Sequence, residues 1–174
     1  MLVRTFYDNK QLKEQYTIID GEIEGDFVDY HENGKVRSKI QFHNGVLVRT
    51  MYCYDESGQL TFRGNYIDGK LNGHSCTYFN GLPYNISYFV NDKKSGKSIF
   101  FDNNRNCVAI EVYDNGIKSG PAKFYNTGGN LIKEMQYIDD KIEGRVQYYD
   151  QNGKEIFYEI FKNNIKVENI EPEK

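Results

Sequence analysis

Short apolar runs recur along this chain, and polar turn-forming residues separate them. Each run is six to eight residues long and rich in Ile, Val, Tyr, Phe and Thr, which is the length and composition of a β-strand. No window shows apolar residues recurring with the 3.6-residue period of an amphipathic helix. The pattern therefore predicts an all-β protein with almost no helix.

The runs belong to a unit that is repeated seven times. Successive copies start 24 residues apart, except for one step of 23, where the turn after Tyr78 is one residue shorter. No single copy of a unit this small can bury its own apolar face, so neighbouring copies must stack. Repeats 1 to 7 begin at Met1, Gly25, Arg49, Gly73, Gly96, Gly120 and Gly144.

An aromatic residue and two turns mark every repeat. The sixth residue is aromatic in all seven: Phe6, Tyr30, Tyr54, Tyr78, Phe101, Tyr125 and Tyr149. A first turn follows it at Asn9-Lys10, Asn33-Gly34, Ser57-Gly58, Asn80-Gly81, Asn104-Arg105, Gly128-Gly129 and Asn152-Gly153. A second turn lies at Asp20-Gly21, Asn44-Gly45, Asp68-Gly69, Asn91-Asp92, Asn115-Gly116, Asp139-Asp140 and Asn163-Asn164. Such pairs supply the positive φ that tight hairpins need.

Two strands in each of seven repeats predict about 14 antiparallel strands. We expect tandem β-hairpins that form an elongated, twisted, single-layer meander. The repeats span residues 1–168, which we interpret as one domain, and a charged tail follows at residues 169–174.

Composition and charge narrow the function classes. A net charge of −3 gives no general attraction to nucleic acid or to anionic lipid. The first residues contain no apolar run of signal-peptide length, and no stretch is long enough to span a membrane as a helix. Cys53, Cys76 and Cys107 form an odd set without metal-type spacing, and we expect the side chains of Cys53 and Cys76 on opposite faces. We expect a cytoplasmic protein with free thiols, an expectation that fails if a native leader is missing.

The sequence offers no sign of catalysis. It contains no metalloprotease, dinucleotide, P-loop or nucleophile-elbow motif. His31 and His43 lie beside turns, where we expect solvated side chains. The segments that begin at Asp55 and at Asp150, the latter with Glu155, only superficially resemble calcium loops, because the turn itself recurs. We therefore predict a protein that is not an enzyme, with no cofactor, no metal and no small-molecule substrate.

The repeat resembles a known family. Its pattern is Gly-x4-aromatic-x2-Asn-Gly-Lys, then a strand, then aromatic-x-Asn/Asp-Gly-Lys-x2-Gly. The best examples are GDFVDYHENGKVRSKIQFHNG from Gly25, FRGNYIDGKLNG from Phe62 and GRVQYYDQNGKEIFYEI from Gly144. This pattern resembles the MORN-type repeat, and most of all the bacterial variant in YwqK-type antitoxin and immunity proteins. The resemblance implies hairpin repeats and a role in binding a toxin or effector.

The second strand of each repeat differs along the chain. Residues facing away from the conserved aromatic side are polar in repeats 1 to 3, as at Lys13, Arg37, Lys39 and Arg63. In repeats 4 and 5 they become apolar: Tyr84, Ile86, Tyr88, Val108, Ile110 and Val112. We expect these six residues to lie on one face of two adjacent strands, where they would form a patch on the order of several hundred Å², the size that usually marks an interaction site. Partner binding, internal burial and homodimerisation all remain open.

Two functions fit these observations. The first is a non-catalytic protein–protein interaction module of the immunity or antitoxin kind, with a protein toxin or effector as partner. The alternative is a structural scaffold or a membrane-associated MORN-repeat module, for which the basic residues of the early repeats would provide a weak anionic contact. The net charge of −3 favours the first.

Overall fold

The fold is an antiparallel β-meander, seen in a computed structural model that describes residues 1–170. Residues 1–170 contain 18 strands and no helix, so the all-β prediction of tandem antiparallel hairpins is confirmed. No helix in this range is long and apolar enough to cross a membrane. The strands are β1 (Leu2–Phe6), β2 (Leu12–Ile19), β3 (Glu22–Tyr30), β4 (Val36–His43), β5 (Val46–Tyr54), β6 (Leu60–Ile67), β7 (Lys70–Phe79), β8 (Leu82–Val90), β9 (Lys93–Lys94), β10 (Gly96–Phe101), β11 (Cys107–Asp114), β12 (Ile117–Lys118), β13 (Gly120–Tyr125), β14 (Leu131–Ile138), β15 (Lys141–Ile142), β16 (Gly144–Tyr149), β17 (Glu155–Lys162) and β18 (Ile165–Ile170).

The structure has 18 strands where the repeat predicts about 14. Three of the additional strands, β9, β12 and β15, are only two residues long and arise because the chain leaves the sheet just before Gly96, Gly120 and Gly144. The fourth, β18, follows the second turn of repeat 7 and pairs with β17. Of the predicted charged tail, residues 171–174 lie outside the described residues.

The chain divides into two compact modules, each described by itself. The N-module comprises residues 1–83 and 89–92, and the C-module comprises residues 84–88 and those from 93 onward. In the N-module, β1 to β7 pair in sequence order. In the C-module, the long strands pair in the order β8, β10, β11, β13, β14, β16, β17 and β18.

The predicted turns are present, and they explain why some copies need no glycine. Asn and Asp hold positive φ in the second turns, as at Asn44 (48°) and Asp68 (50°). Where Asp92 replaces the second glycine, its backbone N–H donates to the Leu71 carbonyl (3.0 Å), and its carboxylate accepts from the Leu71 N–H (2.7 Å). Asp140 makes the same pair of bonds to Lys118. A side-chain oxygen thus satisfies a strand amide that would otherwise lack an acceptor.

The start of each repeat widens the spacing in the hydrogen-bond ladder. Lys39 pairs with Tyr52 and Gln41 with Val48, so residues 49–51 of β5 lie opposite the single residue Ile40. Arg49 is the first residue of this repeat. Repeats 2 and 4 to 7 have glycine at the same position, with positive φ, for example 86° at Gly73. Positive φ bends the strand and creates the bulge.

Each module has a core face and an outer face, because successive side chains of a strand alternate between them. The core face of the C-module holds the buried residues Ala122, Met135 and Val146. The core face of the N-module holds the small buried residues Ser38 and Ser75. In each module these buried residues form a central column, and aromatic rings lie on the same core face. The rings are Tyr16, Phe27 and Phe42 in the N-module, and Phe124, Tyr137, Tyr148 and Phe161 in the C-module.

Candidate protein-binding face

The six predicted patch residues all lie in the C-module, on strands β8 and β11. These two strands are not adjacent, and that expectation of the sequence analysis is wrong. Strand β10 lies between them, since Ile99 pairs with Ile86 on one side and with Ile110 on the other. The second strands of consecutive repeats are always separated by a first strand. We define the apolar patch as the six predicted residues together with Ile99.

The patch is accessible to solvent in the C-module. Tyr84 is 53% exposed and Tyr88 is 40% exposed. Ile86, Ile99 and Ile110 are half-buried, as expected for side chains packed only against lateral neighbours. No patch residue is buried, so the patch presents a row of three isoleucines bordered by two tyrosine rings.

Charged and polar residues bound the patch. Lys97 is exposed and lies opposite Val112 on the next strand. Beyond Ile110 the same cross-strand row continues with Lys123 and Glu134, whose charged groups are 3.5 Å apart. A central apolar area with a polar rim is the general anatomy of a protein–protein interface.

The core face behind the patch carries a buried polar network. The Ser98 hydroxyl lies 2.8 Å from the Ser87 hydroxyl, which in turn donates to the Asn85 side-chain carbonyl at 2.8 Å. Glu111, only 8% exposed, accepts hydrogen bonds from the Lys118 ammonium and the Tyr113 hydroxyl, both at 2.6 Å. The two serines join β8 to β10, and Glu111 joins β11 to Lys118 of β12, so each of these buried polar groups has a partner on the same face.

The electrostatics of this network follow from burial. Burial and the hydrogen bond to Glu111 raise the pKa of Tyr113. Burial also lowers the pKa of Lys94, whose ammonium lies 4.8 Å from the centre of the Tyr113 ring. The raised pKa of Tyr113 keeps its phenol neutral at physiological pH, so its hydroxyl remains a donor to the carboxylate. These groups support the strands beneath the patch and are not directed into an open cleft.

The cysteines are half-buried and unpaired with one another. Cys53 lies opposite Phe62 and Cys76 opposite Arg63, which places them on opposite faces, as predicted. Burial raises the pKa of each thiol, and Cys107 shows the same direction. A thiol with a raised pKa is a poor nucleophile at neutral pH.

Two histidines have defined partners. A ring nitrogen of His31 lies 2.9 Å from the carbonyl oxygen of Tyr54, one repeat further along. His31 therefore joins two repeats and is not the solvated turn residue that the sequence suggests. His43 is exposed beside Glu24, with 3.0 Å between Nδ1 and a carboxylate oxygen. Residues 1–170 contain no group of three or more potential metal-ligating side chains.

In the two segments that resemble calcium loops, the carboxylates accept hydrogen bonds from groups of their own turns. Asp150 Oδ1 accepts the backbone N–H groups of Asn152 (2.8 Å) and Lys154 (2.9 Å). Asp55 Oδ1 accepts from the Ser57 hydroxyl and the Gln59 N–H. These bonds lower the pKa of both carboxyl groups. The recurring Asp therefore stabilises the turn.

Sequence reasoning missed two residues that the structure brings forward. Ile99 completes the patch and could have been found by applying the same alternation to the first strand of repeat 5. Arg49 stands where repeats 2 and 4 to 7 have glycine, and it adopts a left-handed conformation with φ of 63° inside β5. Its departure from the repeat is visible in the sequence.

Comparison with known proteins bears on the repeat. A family model described as the MORN repeat variant matches residues 23–44, 50–68 and 118–139. No curated protein matches the chain. Among solved structures, the chain is similar to one titled "Crystal Structure of TarM", at 15% identity and a TM-score of 0.37. The aligned region is 67% of this chain but only 20% of that chain, and so low a score carries no argument.

The matched segments follow the register of the repeat. They coincide with repeats 2, 3 and 6, and each ends at the first residue of a second turn: Asn44, Asp68 and Asp139. Repeats of this kind commonly serve as protein-interaction or membrane-binding modules. Three matches in one register show that repeats 2, 3 and 6 are MORN-type repeats.

Proposed function

We propose that this protein is a non-catalytic protein–protein interaction module that binds its partner through the apolar patch of the C-module. The observation that carries the proposal is the cross-strand row of Ile86, Ile99 and Ile110 between exposed tyrosines. Tyrosine is enriched in binding interfaces, where its ring contributes contact area and its hydroxyl can form hydrogen bonds. An exposed apolar row of this kind is unusual on a surface with no partner.

The partner class comes from the resemblance to YwqK-type antitoxin and immunity proteins. On that basis the partner is a protein toxin or effector, held in an inactive complex in the cytoplasm of a bacterium. Such a role requires tight binding and no catalysis, which agrees with the neutral thiols and with turn carboxylates engaged by backbone amides.

The test is capture of a partner from the source cell by purified, immobilised protein. Wild type is compared with a variant carrying Tyr84→Glu, Tyr88→Glu and Ile110→Glu, which places three charges on the patch. The control carries Ile132→Glu and Ile156→Glu, two exposed apolar residues elsewhere in the C-module. Circular dichroism confirms that each variant is folded.

The outcomes are distinct. A protein captured by wild type and by the control, but lost by the patch variant, supports the proposal. Capture of the same protein by all three contradicts the patch as the site. A second copy of this chain as the captured protein, with a dimer in solution that the patch variant converts to a monomer, favours homodimerisation.

A membrane-associated scaffold is the second candidate, because the outer face of the N-module carries exposed Lys39 and Arg63. These residues lie in one cross-strand row, on either side of Tyr52. Arg37 adds less charge, since its guanidinium is paired with Asp29 at 2.9 Å. Co-sedimentation with phosphatidylserine vesicles, and none with phosphatidylcholine vesicles, would favour this candidate.

A further inference from the structure

Arg49 holds a backbone conformation that long side chains rarely adopt. Its φ of 63° lies in the left-handed region, at the position where repeats 2 and 4 to 7 have glycine. Among residues 1–170, the other positive-φ residues that are neither Gly, Asn nor Asp are Lys10 and Arg105, and both lie in turns. Arg49 alone among these three sits inside a strand, β5.

This conformation costs stability that glycine would not. An L-residue in the left-handed region crowds its Cβ against the following carbonyl, whereas glycine has no Cβ. Strained residues of this kind concentrate at functional sites, where the surrounding structure holds them in place. The repeat offers a strain-free alternative at this very position, so the arginine needs a reason of its own.

The bulge at Arg49 opens a cleft on the N-module. The cleft has a volume of about 410 Å³, and its lining includes Lys39, Gln41, Arg49 and Tyr52. A second hollow of about 410 Å³ borders Arg49 on its other side and includes Gln41 and His43. Arg49 therefore stands between two openings, at the widened part of the ladder opposite Ile40.

The cations of the cleft have no anionic partner. Within residues 1–170, the Arg49 guanidinium and the Lys39 ammonium make no ion pair and no hydrogen bond. Elsewhere, Arg37 and Arg145 each contact a carboxylate.

The two nearby carboxylates are engaged by other groups. Asp26 accepts a hydrogen bond from Gln41 at 3.0 Å, and Glu24 is held by His43 and by the Asn44 N–H. Asp26 also lines the cleft and keeps its negative charge, because its Gln41 partner is a neutral amide. With Arg49 and Lys39 the cleft still carries a net positive charge, and neither cation has to give up a partner to bind an incoming anion.

We propose that this cleft, the Arg49 cleft, binds an acidic side chain of the protein partner. The inference rests on the proposed function, because it assigns a second contact to the same partner. A guanidinium presents two parallel N–H donors that match a carboxylate, and Lys39 adds a second positive charge. The cleft has room for a small number of side chains, which suits the carboxylate of a side chain better than an extended nucleic-acid strand.

The experiment is an NMR titration of ¹⁵N-labelled protein with the peptide hexaglutamate at low salt. Arg49→Gly restores the glycine of the repeat, and Arg49→Asn keeps a residue that tolerates positive φ while removing the charge. Lys97→Gln is the matched control, since it removes one exposed positive charge from the C-module. We expect both Arg49 variants to bind at least about fivefold more weakly than wild type, and the control to remain within about twofold.

A thermal melt distinguishes a binding role of Arg49 from a structural role. Arg49→Gly should raise Tm by about 2–4 °C, because it removes the cost of the left-handed conformation. A Tm that falls instead would make Arg49 a structural residue and overturn the proposal. Equal affinity in wild type and both Arg49 variants would overturn it too, as would equal loss in Lys97→Gln.

Two further measurements distinguish a failure of this proposal from a failure of the proposed function. The Tyr84→Glu, Tyr88→Glu, Ile110→Glu variant should bind hexaglutamate as wild type does, whether or not the patch is the partner site. Binding to phosphatidylserine vesicles that depends on Arg49, without binding to hexaglutamate, would replace the acidic side chain by a lipid surface and overturn the proposal.

Discussion

The two modules share one repeat but differ in the chemistry of their outer faces. In the N-module the outer row runs through Lys39, Tyr52 and Arg63. In the C-module the corresponding side chains are Ile86, Ile99 and Ile110. The turns and the central column of small side chains recur in both. Positions that recur build the scaffold, and the outer positions are free to vary because little packs on them.

The core faces of the two modules differ in the polarity of their central buried side chains. Buried Ser38 and Ser75 occupy the centre of the N-module, while Ala122 and Val146 occupy the centre of the C-module. The C-module core also accommodates the longer side chain of Met135. Burial, and not the outer-face chemistry, should therefore decide which substitutions unfold the protein.

The largest expected effect is at the centre of the C-module. Val146 is 1% exposed, so Val146→Asp would bury a carboxylate without a partner. We expect the free energy of unfolding to fall by about 4 kcal/mol or more in a urea melt. The control Ile138→Asp changes an exposed residue and should stay within about 0.5 kcal/mol. Similar losses in both would contradict the assigned core face.

A second effect is expected at the centre of the N-module. A methyl group on Gly64 would lie 2.6 Å from the Phe62 ring and 2.7 Å from Leu71 Cδ1. Gly64→Ala should therefore cost about 1–3 kcal/mol of unfolding free energy through overpacking. Gly128→Ala is the control in the C-module, because Gly128 is exposed and lacks positive φ. A Gly64→Ala variant as stable as wild type would show that the N-module core is loosely packed.

Alkaline pH should act on the C-module. Burial, with hydrogen bonds to Glu159 and Glu134, raises the pKa of Tyr148 and of Tyr149 to about 12. A raised folded pKa means that the native state holds these protons more tightly. The associated stability is fully present below pH of about 10 and is lost as pH rises to about 12.

Urea melts at pH 8, 10 and 11.5 measure this loss. The Tyr148→Phe, Tyr149→Phe variant, which has no phenol to ionise at either position, should lose less stability over that range than wild type. Tyr84→Phe, at an exposed tyrosine, is the control and should behave like wild type. An equal loss of stability at high pH in all three proteins would contradict the assignment of this loss to ionisation of Tyr148 and Tyr149.

The smallest effect on stability is expected at the patch itself. Tyr84→Ser removes a ring that is 53% exposed, so the free energy of unfolding should change by about 0.5 kcal/mol or less. A loss above about 2 kcal/mol would show that the ring packs within the module, and that the patch is part of the core. Chemical denaturation followed by circular dichroism makes the measurement.

Much of the scaffold could be predicted from the sequence, because its signals are local. Asn-Gly and Asp-Gly turns report backbone φ directly, and alternation reports the face on which a side chain lies. The opposite faces of Cys53 and Cys76 followed from that alternation. The same rule placed Tyr84 and Tyr88 away from the core face, where the structure finds them exposed.

The remainder depends on contacts between strands. Alternation gives the face of Ile86 and of Ile110 but not the strand between them, so Ile99 was missed. The partner of His31 is a carbonyl in the next repeat, which no local pattern reveals. The strain at Arg49 requires a φ value, although the missing glycine could have prompted the question.

The central claim is that the apolar patch of the C-module, and not its exposed apolar residues in general, binds a protein partner. Site-specific photocrosslinking in the source cell tests it most directly, with a benzoylphenylalanine placed at Tyr88 or, as the comparison, at exposed Ile138. The account predicts one discrete crosslinked protein from position 88 and none of that size from position 138. The same crosslinked product from both positions, or a product from 138 alone, would contradict it.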